Sequence, residues 1–412
     1  MSFKSYLKLL NNNNLSIKIK KNIIKKKSLS LKQSYNNFLP TADFNYGATV
    51  NSRNNSAFSK YLPSSSPAPQ NPSWTKNLTI NLPIFLGEKR FSLLKINKSN
   101  KKLSEYELKI IILNLKSQAI SLFIKAYNLQ NKLKILQKSL ALAQKNYENA
   151  KLLSTLGKLV KVDLLTFKLS CEERKSAILN TQMELDNTFI EMSSLINKEI
   201  LPTELSIENE IPQNIIKTEK GKLITLFIKK LENNSPIVKQ NREILELSKY
   251  NLELSKKNYW PNINLRYNYS PYTENFWEFP ITKGHSLSLL LSFNIFNSLS
   301  DSTDNKIKRL DLTNTKLQLQ ETIKNQKTAI KKAINMLKNS LLQKKSLKLA
   351  LKLSQEKLEQ IKIGYKHGKY NILDILKAEN DSLSKETNLV NLKTQIYNSY
   401  YQLKILSGNI HD

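Results

Sequence analysis

The chain has 412 residues, with 65 Lys and Arg against 33 Asp and Glu, and a formal net charge of +32 at pH 7. Only 8 Gly and 12 Pro interrupt it, which predicts long regular elements and a mainly α protein. The single cysteine, Cys171, excludes an internal disulfide and a cysteine-based metal cluster. No apolar run is long enough to predict a membrane-spanning helix, and residues 1–30 lack the apolar core of a signal peptide.

The positive charge could indicate binding to nucleic acid or to an anionic membrane. A phosphate-binding surface needs charge that is concentrated on one face, whereas these lysines spread along the whole chain beside abundant Asn and Ile. The densest run, Lys18 to Lys27, is short and interrupted, which favours a solvated helix face. The charge therefore leaves open one alternative, a soluble basic coiled-coil scaffold or nucleic-acid-binding protein.

A first helix is followed by two segments with the period of β-strands. Apolar residues alternate with polar ones over residues 41–50, after Pro40, and again over about 78–86. Each segment is apolar on one face and polar on the other, and Trp74 is one of the aromatic residues at the flanks. This pattern is typical of transmembrane barrel strands, although a water-soluble sandwich gives a similar alternation.

A long helical hairpin is predicted next, over about 88–197. Its first helix has apolar residues spaced alternately four and three apart, which predicts a coiled-coil seam. The seam comprises Leu108, Ile112, Leu115, Ala119, Leu122, Ala126, Leu129, Leu133, Leu136, Leu140, Ala143, Tyr147 and Ala150. This helix ends at a turn around Gly157, because glycine can adopt the positive φ that stops a helix. Asp163 suits the start of the return helix.

The same order of elements then returns. Residues 198–230, with Pro202 and Pro212, are predicted to form an equatorial linker. The second copy, 231–412, contains a first helix, strands at about 262–270 and 286–296, and a helical hairpin at about 300–407. Its seam is weaker than the first, because polar residues interrupt it at Gln326, Ser340, Lys344 and Ser354.

The chain is a tandem duplication of one large unit. Gly157 and Gly368 each begin the pattern Gly-Lys, four intervening residues and then Asp-apolar-Leu, and the offset is 368 − 157 = 211. This offset aligns residues 82–197 with residues 293–408 without a gap. The first copy is therefore assigned to residues 1–197 and the second to residues 231–412.

Four strands are too few to close a barrel, since about eight is the smallest closure, and an open sheet edge cannot face lipid. A barrel built from these strands must be shared among chains. Three chains would supply twelve strands and bring their helices together into a tube. The sequence therefore favours a hollow conduit.

These features resemble the TolC-like family of outer-membrane efflux proteins. The helix-to-strand prolines Pro40 and Pro261 and the strand ends Leu82–Phe85 and Phe293–Phe296 carry the resemblance. The most specific segment is Ile363–Ala378, which is close to the family pattern Y-x-x-G-x-x-x-x-L-D-V-L-x-A. The resemblance implies a homotrimer with a twelve-stranded β-barrel in the outer membrane above an α-helical tunnel in the periplasm. It also implies a passive channel for efflux or type I secretion. This channel would dock a periplasmic adaptor, also called a membrane fusion protein, and an inner-membrane pump.

The resemblance also indicates which residues would act. The adaptor-facing elements would be the two tips of the hairpins, comprising Leu156, Gly157, Lys158, Leu159 and Val160 in the first and His367, Gly368, Lys369 and Tyr370 in the second. A pore constriction would follow the second tip at Asp374 and Lys377. Family members carry two acidic residues there, so Lys377 argues against a strongly cation-selective ring.

Nothing in the sequence predicts catalysis, a cofactor or a metal. The three histidines lie far apart, and no phosphate-binding glycine loop or nucleophile motif occurs. A periplasmic adaptor also contains helical hairpins, but the Gly-rich lipoyl-like β domain expected between its hairpin arms is not visible. The partners that the resemblance implies are outer-membrane lipid, two further copies, an adaptor and a pump, and no nucleic acid.

Overall fold

The computed structural model describes residues 3–49, 73–206, 212–273, 277, 279 and 284–408. The helices are α1 (Phe3–Asn13), α2 (Leu15–Asn36), α3 (Lys89–Thr155), α4 (Lys161–Ile196), α5 (Gln213–Lys217), α6 (Lys220–Asn234), α7 (Pro236–Lys256), α8 (Ser300–Lys366) and α9 (Ile372–Leu406), with a 3₁₀ turn at Lys257–Tyr259. The strands are β1 (Thr41–Thr49), β2 (Ser73–Leu86), β3 (Asn262–Tyr269), β4 (Tyr272–Thr273) and β5 (His285–Ser292). The mainly α fold class with a small β portion is confirmed.

The strands form one antiparallel sheet in the order β1-β2-β3-β5, and the short β4 pairs with β2. Residues in register form rows across the sheet. One row contains Ala42, Ile80, Tyr267 and Leu287. The adjacent row, on the opposite face, contains Thr41, Asn81, Arg266 and Ser288. The predicted alternation therefore gives the sheet one apolar and one polar face.

Strand β2 begins at Ser73, about five residues earlier than the sequence predicts. The cause is Lys76, which looks like a break in the apolar alternation but continues the pairing opposite Tyr46. Its ammonium group lies 4.2 Å from the centre of the Phe279 ring and 5.9 Å from that of Tyr46. A cation over aromatic faces can occupy an apolar row, so the strand extends through this residue.

Strand β5 ends at Ser292, earlier than the predicted end near residue 296. Phe293 and Ile295 continue the alternation in sequence but lie outside the ladder, and both are exposed. The partner of β5 is β3, and on the other side of β3 the pairing with β2 has a register shift between Pro83 and Phe85, which is a β-bulge. The last residue of the first predicted strand, Val50, lies outside the described residues.

The two hairpins are formed by α3 with α4 and by α8 with α9. Every residue of the predicted seam in α3 is buried or half-buried, which confirms the periodicity. The polar seam positions of α8 also face inward: Ser340 and Ser354 are buried, and the Ser354 hydroxyl donates a hydrogen bond to the Leu351 carbonyl. The seam of the second hairpin therefore still faces inward at the positions where its residues are polar.

One segment of α3 is apolar enough, by length and composition alone, to cross a membrane, and 33% of it is buried. No such segment was expected from the sequence. The helix places Ile120, Phe123 and Ile124 in a protein core, so burial among neighbouring helices accounts for the apolar character at these positions.

The chain divides into two compact units, and each draws on both copies of the repeat. The first unit comprises Met1–Asn22, Glu105–Asn241 and Leu319–Asp412. The second comprises Ile23–Ser104 and Arg242–Gln318 and contains the sheet. The repeat boundaries at 1–197 and 231–412, and the linker at 198–230, remain predictions about the duplication along the chain.

Aromatic residues of α1 close the apolar core of the first unit. The Phe3 ring lies 5.3 Å from that of Phe123 and 5.0 Å from that of Tyr401, and Tyr6 packs 6.0 Å from Phe123. The fully buried Tyr6 hydroxyl donates a hydrogen bond of 3.3 Å to the Met192 carbonyl. Each buried ring stabilises the unit by about 1.5–3 kcal/mol.

A single lysine holds part of the linker against α8. The Lys338 ammonium donates hydrogen bonds to the carbonyls of Ile215 (3.1 Å), Ile216 (2.8 Å) and Thr218 (2.7 Å) at the C-terminal end of α5. Carbonyls at a helix C-terminus lack intrahelical partners and carry partial negative charge, so a cation is favourable there. The three hydrogen bonds of Lys338 therefore hold the C-terminal end of α5 against α8.

The backbone repeats the duplication that the sequence shows. Four pairs of residues separated by the offset of 211 have positive φ: Gly87 (55°) with Ser298 (44°), Glu88 (57°) with Leu299 (58°), Gly157 (69°) with Gly368 (74°), and Asn197 (50°) with Gly408 (74°). Left-handed backbone is unfavourable for residues with a Cβ, so its recurrence at Ser298, the equivalent of Gly87, shows that the second copy keeps the turn geometry without the glycine.

Candidate functional site

The sheet exposes an apolar face in the single chain. Leu287, Leu289 and Leu291 are 69%, 66% and 62% exposed, although all three lie on the same side of β5. The opposite face carries hydrogen-bonded polar side chains, including Thr79 with Asn268. A continuous exposed apolar face is unfavourable in water and indicates a partner or a membrane.

Aromatic residues cluster where the strands of the second unit meet the helices. The rings of Phe38 and Phe91 lie 5.4 Å apart, and those of Phe85 and Trp260 lie 6.3 Å apart. Gly87 is required beside Trp260, because a Cβ there would lie 2.6 Å from the Trp260 Cβ. Aromatic residues at strand ends are typical of the boundary between hydrocarbon and water.

The first tip is a tight turn between α3 and α4. The Gly157 amide donates to the Ser154 carbonyl (3.0 Å), and the Lys158 amide donates to the Leu153 carbonyl (2.9 Å). The side chain of Leu159 packs against an apolar cluster, while Leu156, Lys158 and Val160 are exposed.

The return helix of this tip does not begin at Asp163 as the sequence predicts. It begins at Lys161, and Val160 is the N-cap, with no side-chain hydrogen bond to the helix. Asp163 lies instead in the first turn, where a carboxylate still interacts favourably with the helix dipole.

The second tip repeats the backbone of the first and adds a capping box. The Gly368 amide donates to Tyr365, and the Lys369 amide donates to Gly364, with distances of 3.0 and 2.9 Å to the carbonyl oxygens. The Asp374 amide donates to the Asn371 side chain (2.9 Å), and the Asn371 amide donates to the Asp374 carboxylate (3.0 Å). Both orphan amides are therefore satisfied reciprocally.

The aromatic ring of the second tip lies against a glycine. A Cβ on Gly364 would lie 2.5 Å from the Tyr370 ring, so the close approach requires glycine at this position of α8. Tyr370 nevertheless remains exposed along with His367 and Lys369. The predicted tip residues therefore form a turn that is stable locally and open to solvent.

The two tips are neighbours. Ile372, from the second hairpin, is buried in one cluster with Ala150 and Phe167 from the first, and Leu159 packs against this cluster. Burial raises the pKa of Tyr365, and the nearby Asp163 carboxylate raises it further. The structure thus brings the residues of both predicted tips to one end of the first unit.

The two residues predicted at a pore constriction lie one turn apart at the start of α9. Asp374 is half-buried, and its carboxylate caps the helix, which gives it a structural role. Lys377 is exposed. The capping role of Asp374 was not expected from the sequence.

A buried charged cluster lies near the tips. The Glu379 carboxylate lies 3.6 Å from Arg174 and 3.4 Å from Lys362, and it accepts a hydrogen bond of 2.8 Å from Asn146. Arg174 also donates to Ser139 and Asn380. The side chains of Arg174 and Glu379 are 7% and 3% exposed. The cluster therefore joins all four helices of the two hairpins.

The sequences of the two return helices carry a signal for this cluster that the seam of α3 does not show. In α4 the buried positions Phe167, Cys171 and Arg174 follow the alternating four-three spacing of a seam. In α9, Ile375 and Glu379 lie four apart on a buried face. Opposite charges at seam positions of two return helices indicate a buried pair.

Within the described ranges, no group of three or more His, Cys, Asp and Glu side chains is placed to hold a metal ion. The lone thiol, Cys171, is buried, and burial raises its pKa, although Lys175 and Arg174 oppose the shift. A thiol with a raised pKa is a poor nucleophile.

The chain is similar to known proteins in sequence over its second half and in fold over nearly its whole length. The sequence pattern described as outer membrane efflux protein matches residues 227–409. No curated protein sequence matches the chain. Three solved structures are similar to it: CusC, the outer membrane protein VceC of Vibrio cholerae, and the CmeC outer membrane channel of Campylobacter jejuni.

The similarity to each of these structures covers 98% of this chain. CusC has a TM-score of 0.85 at 13% identity, with 92% of its chain covered. VceC has a TM-score of 0.82 at 13% identity, with 96% covered, and CmeC a TM-score of 0.81 at 15% identity, with 85% covered. At this level of identity the likeness establishes the fold.

Proposed function

The second half of the chain, residues 227–409, belongs to the outer membrane efflux protein family, and from this premise we propose that the protein is the outer-membrane channel of a tripartite efflux or type I secretion system. It lies in the cell outer membrane, with its helical hairpins in the periplasm. The channel is a passive conduit, so the free energy for transport comes from a partner pump.

The observation that carries this proposal is the sheet. Its apolar face is exposed, its opposite face is polar, and β1 and β5 are its outer strands within the described residues. An open sheet edge cannot face lipid, because unsatisfied backbone groups are costly in hydrocarbon. Three copies would join β1 of one chain to β5 of the next and close a barrel of twelve long strands, with the polar face lining the interior.

The tips supply the second part of the proposal. Leu156–Val160 and His367–Tyr370 lie together at one end of the first unit and expose both charged and apolar side chains. We assign this surface to the docking of a periplasmic adaptor that belongs to an inner-membrane pump. Asp374 and Lys377 follow the second tip directly and would line the narrow end of the tunnel, where Lys377 would weaken selectivity for cations.

The test is a matched pair of substitutions on neighbouring residues of β5. The chain is expressed behind a bacterial export signal, as the wild type, as Leu289→Lys on the apolar face and as Ser288→Lys on the polar face. A lysine in hydrocarbon costs about 2–4 kcal/mol, whereas one facing a lumen is tolerated. Wild type and Ser288→Lys should form cross-linkable outer-membrane trimers with single-channel conductance, and Leu289→Lys should fail to insert.

A salt-soluble monomer or dimer from the wild-type chain would overturn the channel and favour the basic scaffold. Equal insertion of both lysine variants would show that the apolar face does not contact lipid. Conductance that survives in both variants would have the same meaning, because the two side chains point to opposite faces of one strand.

A further inference from the structure

Both tips carry an unpaired lysine at the same place in the turn. Lys158 follows Gly157, and Lys369 follows Gly368, and both lysines are exposed. Lys161 and Lys377 are exposed nearby. Among the described residues, none of these four ammonium groups has a carboxylate within 4.0 Å.

The acidic groups of the tips are engaged elsewhere. The Asp374 carboxylate accepts the hydrogen bond of the capping box. The Asp163 carboxylate lies close enough to Tyr365 to raise its pKa. Neither carboxylate forms an ion pair with these lysines, and two carboxylates do not balance four ammonium groups, so the exposed surface of the two tips has a net positive charge.

Exposed apolar side chains lie in the same turns, and in the first turns of the return helices, as the lysines. Leu156 is 61% exposed, and Val160, Val162 and Leu373 are exposed to a similar degree. Apolar side chains within a charged rim are the usual composition of a transient protein interface.

We propose that the partner surface that docks on the tips is acidic, with carboxylates opposite Lys158 and Lys369 and apolar side chains between them. The inference rests on the proposed function and deepens it, because it states the chemistry of the adaptor segment that this channel accepts. Complementary charge speeds the encounter and excludes partners of the wrong sign. The duplication supplies the same lysine twice, so an acidic motif can engage either tip.

The experiment identifies the docked segment before it measures charge. A photo-crosslinking amino acid is placed at Val160 of the channel in cells that express it as a membrane trimer, and the linked peptide is identified by mass spectrometry. The expected peptide belongs to a periplasmic helical hairpin and contains Asp or Glu beside apolar residues. A peptide without carboxylates would overturn the proposal, as would cross-linking only to a second copy of this chain or to no protein at all.

The protein so identified is then used as the binding probe. Lys158→Glu/Lys369→Glu is compared with Lys138→Glu/Lys345→Glu, which reverses two exposed lysines far from the turns in sequence. The tip pair should lose about tenfold in affinity at low salt, and the loss should shrink at high salt. The control pair should bind as the wild type does, whereas equal loss in both pairs would overturn the proposal.

Two further measurements distinguish failure of the acidic-partner proposal from failure of the proposed function. The neutral pair Lys158→Gln/Lys369→Gln should show a smaller loss than the Glu pair, and each variant must form trimers with wild-type conductance. A channel that conducts and binds its adaptor without sensitivity to tip charge would reject the acidic partner and keep the channel. A chain that forms no membrane trimer would reject the proposed function itself.

Discussion

The two tips have the same backbone but are stabilised by different side chains. Gly157 and Gly368 have φ values of 69° and 74°, and the amide hydrogen bonds around them are the same in both turns. The first tip lacks a side-chain cap and buries Leu159 against the neighbouring hairpin. The second has the capping box of Asn371 and Asp374. One turn therefore depends on its neighbours, and the other is stabilised locally.

The same contrast continues along the return helices. Glu379 is buried in the charged cluster, whereas the residue 211 positions earlier, Lys168, is exposed. The duplicated copies thus diverged to complement each other, since the second hairpin supplies the buried acid and the first supplies Arg174. After duplication, equivalent positions were free to take opposite roles.

The largest expected effect comes from breaking the charged cluster. Glu379→Ala leaves Arg174 buried without its carboxylate and should cost about 3–5 kcal/mol in the free energy of unfolding. Urea denaturation of the purified trimer measures the loss. Lys168→Ala, at the equivalent exposed position, should stay within about 0.5 kcal/mol. If the two variants unfold at the same urea concentration, the burial of Glu379 does not contribute more to the free energy of unfolding than the exposed Lys168 does.

The next effect tests how the first tip is anchored. Leu159→Ala removes a half-buried side chain from the cluster around Phe167 and should cost about 1–2 kcal/mol. Leu156→Ala, in the same turn but exposed, should cost less than about 0.5 kcal/mol. Urea denaturation measures the free energy of unfolding of both variants. An equal loss of this free energy in both would contradict the anchoring role of Leu159.

The glycines should behave alike, because the turns share one backbone. Gly157→Ala and Gly368→Ala each place a Cβ in open space but at positive φ, so each should cost about 1 kcal/mol. Gly221→Ala in α6 has open space and no positive φ, and it should stabilise by about 0.5–1 kcal/mol. Unequal costs at the two tips would show that their backbones differ in solution.

The smallest effects are expected from removing the N-cap of the second tip and introducing one in the first. Asn371→Ala should destabilise the second hairpin by about 1 kcal/mol through loss of the capping box. Val160→Asn should stabilise the first by about 0.5–1 kcal/mol, because Val160 already has an extended N-cap backbone and Asp163 already occupies the third position. Hydrogen exchange at the Asp374 and Asp163 amides reports each cap directly. No change in protection at Asp163 would mean that the box does not form there.

Periodicity made much of this structure predictable, because the spacing of apolar residues close together in the sequence defines the helix seams and the strand faces. The exceptions have physical causes. Lys76 looked polar in sequence, and only the rings above it allow it into the apolar row. Arg174 and Glu379 occupy seam positions, which indicate that both are buried, but they belong to different hairpins, and the sequence does not show that these two residues meet. The tips were located from their motif, but the cap that engages Asp374 depends on hydrogen-bond geometry.

The paired left-handed turns have a consequence for genetics. Three copies of this chain would carry six tip turns of one backbone shape but of two chemical kinds, in a ring of alternating members. A substitution in one tip would alter three of the six positions and leave the others as they were. With the docking role proposed for the tips, one version can therefore change by mutation while the other maintains contact, and loss of docking should require changes in both.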